Sequence, residues 1–189
     1  MRRLSGAEEL QKFALVGGTS LALRFGHRLS VDLDFLTEED FVNEELYNFL
    51  SDEFSFERRR AGATGISGFI DGVELDFAKY RYGLVRPPET VEGIRMLALE
   101  DVVQMKLAAI TNRGLKKDFY DLALLIEKFG LETITGYYTK KYPEAELFML
   151  LRSMTFFDDA EENEDPVSLD GSEWEEVKTR VRNAVKEWL

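Results

Sequence analysis

The sequence of 189 residues contains no cysteine and a single histidine, His27. Without cysteine the chain has no disulfide, no thiolate ligand for zinc and no cysteine nucleophile. With one imidazole, a histidine-rich metal site is excluded as well. Any metal bound to this protein must therefore be held by oxygen ligands, which favours Mg²⁺ or Mn²⁺ over zinc.

Long apolar runs are also missing from the sequence. No stretch approaches the roughly 18 consecutive apolar residues that a membrane-spanning helix needs. The N-terminal segment carries Glu8 and Glu9 at the place where a signal peptide would need an apolar core. We therefore expect a cytoplasmic protein with no membrane partner, and the 44% of hydrophobic residues is enough to build a core.

The net charge of −12 argues against a surface that binds nucleic acid over its whole area. Residues 38–53 and 158–176 are rich in acids and contain no lysine or arginine. Bases are concentrated between these two segments, at Arg58, Arg59, Arg60, Lys79, Arg81 and Arg86. If an RNA is a substrate, we predict that this basic region faces it, with Tyr80 and Tyr82 as stacking groups; ordinary solvated charge is the alternative.

The pattern of apolar residues divides the chain near residue 90. Apolar and alternating runs typical of strands precede this point, with a hairpin turn predicted at Asp71-Gly72, and helical patterns follow it. We predict an α+β fold in which residues 1–90 form a mixed sheet with helices and residues 91–189 form a helical half. Within the helical half, residues 158–173 are predicted to be an acidic loop, too poor in apolar residues to pack.

Two aspartates lie on one face of a predicted strand at residues 31–36. Because side chains alternate along a strand, Asp32 and Asp34 point to the same side while Val31, Leu33 and Phe35 face the core. Two like charges about 4 Å apart repel by about 4 kcal/mol at an effective dielectric constant of 20, and a cation removes that cost.

Asp76 repeats this arrangement on a second predicted strand. Val73, Leu75 and Phe77 alternate with it and are predicted to face the core. If the two strands are neighbours, three carboxylates converge on one site. Such a cluster can hold two Mg²⁺ ions about 3.5–4 Å apart around a phosphoryl group.

The residues Gly17, Gly18, Thr19 and Ser20 lie between a predicted strand and a predicted helix. A glycine pair lets the backbone approach a polyphosphate, and the start of a helix offers free N–H groups to it. The two hydroxyl groups add donors. A glycine pair or an Asp-x-Asp strand alone is compatible with a turn and a solvent-facing strand, but their combination with a third carboxylate favours phosphate chemistry.

This combination resembles a known superfamily. Residues 17–35, GGTSLALRFGHRLSVDLDF, are similar to the signature of the DNA polymerase beta-like nucleotidyltransferases, and the GHRLSVDLDF part resembles the AbiEii/AbiGii toxin family in particular. Residues 105–125, MKLAAITNRGLKKDFYDLALL, are similar to a later motif of that family. The resemblance extends from about Phe13 to Phe129 and implies a nucleotidyltransferase-fold core followed by helices.

The family resemblance implies transfer of a nucleoside monophosphate from an NTP to an acceptor, with release of pyrophosphate. RNA, and tRNA 3′ ends in some members, a protein side chain and a small molecule such as an aminoglycoside are the candidate acceptors. The family also implies a toxin with a cognate antitoxin as partner. The alternative is a noncatalytic nucleotide-binding or toxin–antitoxin regulatory protein that keeps the fold; three intact aspartates count against it.

The resemblance also implies roles for individual residues. Asp32, Asp34 and Asp76 would bind the metal, and Asp76 would help to deprotonate the attacking hydroxyl. The other residues implied to bind the nucleotide are Gly17, Gly18, Thr19, Ser20, Arg28, Ser30, Lys106, Arg113, Lys117 and Asp121.

For the charged residues of this set an alternative stays open. Lys117, Asp118 and Asp121 could instead form ion pairs that join one helix to another or to the Asp-x-Asp strand. Arg28 could pair with Asp32 or Asp34 when metal is absent, and His27 is expected to be a packed or solvated turn residue.

Overall fold

The computed structural model describes residues 2–189, and within them a seven-stranded mixed sheet and a set of helices confirm the predicted α+β class. The strands are β1 (Ala14–Val16), β2 (Leu33–Thr37), β3 (Glu57–Gly62), β4 (Gly65–Ile70), β5 (Val73–Lys79), β6 (Glu89–Val91) and β7 (Ile94–Met96). The helices are α1 (Arg2–Ser5), α2 (Gly17–Phe25), α3 (Asn43–Phe54), α4 (Leu99–Asn112), α5 (Lys116–Phe129), α6 (Leu131–Lys141), α7 (Leu147–Met154), α8 (Asp158–Glu161) and α9 (Trp174–Trp188), with a 3₁₀ turn at Glu8–Leu10. None of the helices in residues 2–189 combines the length and the apolar character that crossing a membrane requires.

The chain forms two compact units. The first contains the N-terminal segment up to Ser20 together with Ser30–Ala98, and the second contains Leu21–Leu29 together with Leu99–Leu189. The sequence prediction drew one boundary near residue 90 and so assigned residues 21–29 to the α/β half. They group with the helical unit because the backbone of residues 27–29 pairs with residues 167–169.

The sheet of the first unit has the strand order β3-β4-β5-β2-β1-β7-β6. Strand β2 runs parallel to β5, and the register places Leu33 opposite Leu75 and Phe35 opposite Phe77. These residues line the apolar face of the sheet, where the rings of Phe35 and Phe77 stack with centroids 4.9 Å apart. Because these apolar side chains are held in the core, the side chains that alternate with them on β2 and β5 point to the opposite, polar face of the sheet.

The strand predictions differ from the structure at the strand starts: Val73, which was predicted to face the core, is the first residue of β5 and is 37% exposed. Strand β2 begins at Leu33, so Val31, which was predicted to face the core, is 70% exposed. Asp32 consequently precedes the strand. The predicted hairpin at Asp71-Gly72 is confirmed: it joins β4 to β5, and both residues have the positive φ angles that such a turn requires.

Most of the acidic segment at residues 158–173 of the second unit is exposed or half-buried and lies outside helices. It contains α8, and Phe157 and Ala160 are buried. Lysines neutralise part of its charge, with Lys116 Nζ 3.0 Å from Asp165 Oδ1. The sequence prediction did not include the backbone pairing with residues 27–29 or these lysine partners.

Candidate active site

Asp34 and Asp76 are directly paired residues on the neighbouring parallel strands β2 and β5. Paired residues on adjacent strands point to the same face, and strands lie about 4.7–4.9 Å apart. Both residues are partly buried. Burial raises the pKa of Asp76, the Arg60 guanidinium opposes this shift, and Glu74 adds to it.

Gly17 lets the backbone approach the Asp34 carboxylate. Gly17 follows Val16 of β1, which pairs with Asp34 of β2. It is the first residue of α2, and its φ is +73°. A Cβ atom at this position would lie 2.5 Å from Asp34 Oδ2, closer than any van der Waals contact allows. Glycine is therefore required here both by its backbone conformation and by the neighbouring carboxylate.

The hydroxyl groups that follow Gly17 are used inside the protein. The Thr19 hydroxyl hydrogen-bonds Ser30 Oγ at 2.9 Å and also the carbonyl oxygen of Asp32. The Ser20 hydroxyl donates to the carbonyl oxygen of Gly17 at 2.9 Å, and Ser20 has no exposed surface. These bonds hold the turn and the start of β2 in place, so the predicted phosphate contacts of Thr19 and Ser20 would require both residues to give up their present partners.

The donor atoms at the β2–β5 pair suit a magnesium ion. Mg²⁺ is usually held by one or two carboxylates together with the phosphates of a substrate, and Asp34 and Asp76 supply such a pair. Across residues 2–189 no three histidine, cysteine, aspartate or glutamate side chains are arranged as a complete metal site. The convergence of Asp32 with the other two carboxylates therefore stays a prediction.

The other charged residues of the two motifs form a buried network within the second unit. The Arg28 guanidinium donates to both carboxylate oxygens of Asp121, at 2.7 and 2.8 Å. His27 Nε2 lies 2.7 Å from Asp121 Oδ1, and Lys106 Nζ lies 2.8 Å from Asp121 Oδ2. Arg28 therefore pairs with Asp121, and its predicted pairing with Asp32 or Asp34 is wrong for this structure.

Lys106 extends this network to a second aspartate. Its Nζ lies 2.9 Å from Asp118 Oδ1, and Arg113 Nε lies 3.0 Å from Asp118 Oδ2. Burial alone would raise the pKa of Asp121, but Lys106, His27 and Arg28 lower it well below the ordinary range. Burial likewise disfavours the charged form of Lys106, yet the two carboxylates raise its pKa.

These contacts agree with the ion-pair alternative for Asp118 and Asp121. Lys106 is only 5% exposed and Asp121 is fully buried. Contact of Lys106, Arg113, Lys117, Asp121 or Arg28 with a nucleotide stays a prediction. No local pattern could indicate the contact between His27 and Asp121, because 94 positions separate the two residues.

The chain is similar to known proteins in both its sequence and its fold. The family model described as nucleotidyl transferase AbiEii toxin, type IV TA system, matches residues 1–87 and 74–182. The chain is 35% identical over 185 residues to the uncharacterized protein aq_aa25 of Aquifex aeolicus (strain VF5), covering 94% of this chain and 88% of that protein.

Solved structures of low sequence identity share the fold. MenT4, a nucleotidyltransferase toxin of Mycobacterium tuberculosis H37Rv, superposes with a TM-score of 0.61 at 17% identity, covering 92% of this chain and 74% of that chain. JHP933 of Helicobacter pylori superposes with a TM-score of 0.55 at 16% identity, covering 98% and 87%.

The match to this family model identifies the protein as a nucleotidyltransferase, and the shared fold is consistent with it. Because the family model covers nearly the whole chain, the protein belongs to the nucleotidyl transferase AbiEii toxin family of type IV toxin–antitoxin systems.

Replacement of Gly17 by alanine should displace the Asp34 carboxylate, because the new Cβ would collide with Oδ2. We expect nucleotide transfer to fall at least tenfold, with a loss of about 1–2 kcal/mol in the free energy of unfolding from the left-handed backbone. Steady-state transfer assays and urea denaturation measure the two effects.

Gly26→Ala is the matched control for this variant. Gly26 also has a positive φ, +63°, but nothing lies within 4 Å of the added Cβ. It should show the same loss of stability and keep most of its activity. Equal loss of activity in both variants would mean that the approach of Asp34 to residue 17 does not matter for the reaction.

Proposed function

We propose that the protein is a metal-dependent nucleotidyltransferase toxin that transfers a nucleoside monophosphate from an NTP to an acceptor hydroxyl, with release of pyrophosphate. The observation that carries the proposal is the register of β2 and β5, which places Asp34 directly beside Asp76 on one face. Two carboxylates held side by side in a stable conformation are costly unless a cation joins them.

The residues around this pair have separate roles in the proposal. Asp34 and Asp76, with Asp32, would hold Mg²⁺ or Mn²⁺, and the bound metal would neutralise charge on the polyphosphate. Asp76 also accepts the proton of the attacking hydroxyl.

The phosphates of the NTP bind at the start of α2 in this proposal. Gly17 and Gly18 carry no side chains that would block a phosphate, and the first N–H groups of a helix attract anions. Thr19 and Ser30 contribute by fixing the backbone at Asp32, as their hydrogen bonds show.

RNA is the acceptor that we propose. Three of the predicted basic residues are already paired with acids: Arg58 with Glu44, Arg59 with Glu74, and Lys79 with Asp40. Within residues 2–189, Arg60 and Arg81 form no ion pair and are exposed. The charge that is left for an RNA is therefore smaller than the sequence indicated. A cognate antitoxin is a further proposed partner, consistent with the type IV family.

Incubation with labelled NTPs tests the proposed function. The purified protein is mixed with each of the four α-labelled NTPs, with total RNA and with Mg²⁺ or Mn²⁺. We expect label on an acceptor together with free pyrophosphate, and neither product when EDTA removes the metal. Label in no RNA, protein or small-molecule fraction under any of these conditions would favour the noncatalytic alternative.

A further inference from the structure

A small pocket lies beside Asp76 in the first unit. It has a volume of about 250 Å³. The residues that line it are Arg60, Gly62, Thr64, Gly65, Ile66, Ser67, Asp76 and Ala78. Thr64 also lines a neighbouring cavity of about 600 Å³.

The floor of the pocket consists of small residues of β3, β4 and β5. Gly62 pairs with Gly65, and Gly65 pairs with Ala78. A Cβ on Gly65 would lie 2.0 Å from the carbonyl oxygen of Phe77, so this position accepts only glycine. A ligand can therefore lie directly on the strands next to the carboxylate.

A register shift of the β-bulge type in β3 places Arg60 in the lining of this pocket. The register of β3 and β4 shifts between Arg58 and Arg60, so Arg58 pairs with Gly68 whereas Arg60 pairs with Ser67. Ser67 in turn pairs with Asp76. Without the extra residue, Arg60 would lie one position further along and face the opposite side of the sheet.

Arg60 and Ser67 are the hydrogen-bond donors of the pocket that lie in register with Asp76 on the neighbouring strands. Ser67 is only 7% exposed, and within residues 2–189 its hydroxyl forms no hydrogen bond. Arg60 is exposed and forms no ion pair within the same residues, in contrast to its neighbours Arg58 and Arg59. Because Ser67 lines the pocket, its hydroxyl is available to a ligand that enters there.

We infer that this pocket is the acceptor subsite and that Arg60 and Ser67 bind a phosphate group of the acceptor close to the hydroxyl that reacts at Asp76. The inference rests on the proposed function and adds the chemistry of the acceptor to it. A guanidinium and a hydroxyl are suitable donors to a phosphate.

Such a phosphate has two sources, an RNA chain or a small sugar phosphate. Two probes distinguish these sources in the presence of Mg²⁺. The first is a ten-nucleotide single-stranded RNA with a 5′-fluorescein and a free 3′-hydroxyl, and its binding is measured by fluorescence anisotropy. The second is ribose 5-phosphate, and its binding is measured by calorimetry. Arg60→Ala should raise the Kd for one of these probes about ten- to hundredfold, the usual effect of losing a hydrogen bond to a charged group. Ser67→Ala should raise it less.

Arg58→Ala is the matched control. It removes the same charge from the same strand, but Arg58 pairs with Glu44 and lies over the Tyr47 ring rather than beside Ser67. Its Kd for the probe should stay within about twofold of the wild-type value, and NTP affinity should be unchanged in both arginine variants.

The probe that responds to Arg60→Ala identifies the source of the phosphate. The inference is overturned if neither probe binds the wild type, if Arg60→Ala binds as tightly as the wild type, or if Arg58→Ala weakens binding as much. Wild-type transfer of label that is indifferent to Arg60→Ala removes this inference and leaves the proposed function intact. Absence of all transfer by the wild type removes the proposed function itself.

Discussion

Asp34→Ala is expected to reduce nucleotide transfer at least about a thousandfold while the protein stays folded. Loss of a carboxylate from the β2–β5 pair removes a proposed metal ligand, and a catalytic metal contributes several kcal/mol to the transition state, where 1.36 kcal/mol is a factor of ten. The apo protein should be as stable as the wild type or slightly more so, because Asp34 and Asp76 no longer repel each other. Transfer assays and urea denaturation provide the two measurements.

Asp52→Ala serves as the control for this experiment, since Asp52 is an exposed residue of α3. It should keep full activity and stability. If Asp34→Ala is inactive because it has lost several kcal/mol of stability, then Asp34 is a structural residue and the proposed catalytic role is wrong.

Asp121→Asn should have the largest effect on stability. The variant leaves the buried cations of Arg28 and Lys106 without the carboxylate that now binds both of them. Removing one member of a buried ion pair typically costs about 3–5 kcal/mol. We expect a loss of this size in the free energy of unfolding at pH 7.

The pH dependence of this loss follows from the pKa of Asp121. The folded protein lowers this pKa below the value of about 3.9 for an unfolded chain. The contribution of Asp121 is therefore fully present above about pH 4 and is lost as the pH falls through the folded-state pKa. The difference between wild type and variant should shrink in acid.

An exposed ion pair provides the comparison for Asp121→Asn. Arg180 pairs with Glu127 across two helices, and both side chains are substantially exposed. Glu127→Gln should cost less than about 1 kcal/mol at any pH. A similarly small cost for Asp121→Asn would show that the network does not stabilise the helical unit.

Local patterns predicted much of the first unit. Alternation around Asp34 and Asp76 identified two strands with one apolar and one polar face, and the register confirms that Asp34 and Asp76 share the polar face. The helical pattern predicted after residue 90 is confirmed at α5, whose apolar periodicity ends at Gly130, where φ is +76°. In these cases neighbours in sequence decide the structure.

Contacts between distant segments were beyond such patterns. Arg28 was expected to pair with a nearby aspartate of the Asp-x-Asp motif, but it binds Asp121, 93 positions away. Asp165 and Glu161 pair with lysines of other helices, Lys116 of α5 and Lys178 of α9, and a local pattern could not indicate these partners. The β-bulge that aims Arg60 at Ser67 depends on strand register, which the sequence of β3 alone does not determine.

Anomalous diffraction from crystals grown with Mn²⁺ and a non-hydrolysable NTP analogue tests the central claim most directly. The account predicts metal density in contact with the carboxylates of both Asp34 and Asp76, at about 2.0–2.2 Å from their oxygens. The triphosphate should lie against the turn at Gly17 and Gly18. Metal density at Asp118 or Asp121, or a bound nucleotide with no metal at the β2–β5 pair, would contradict it.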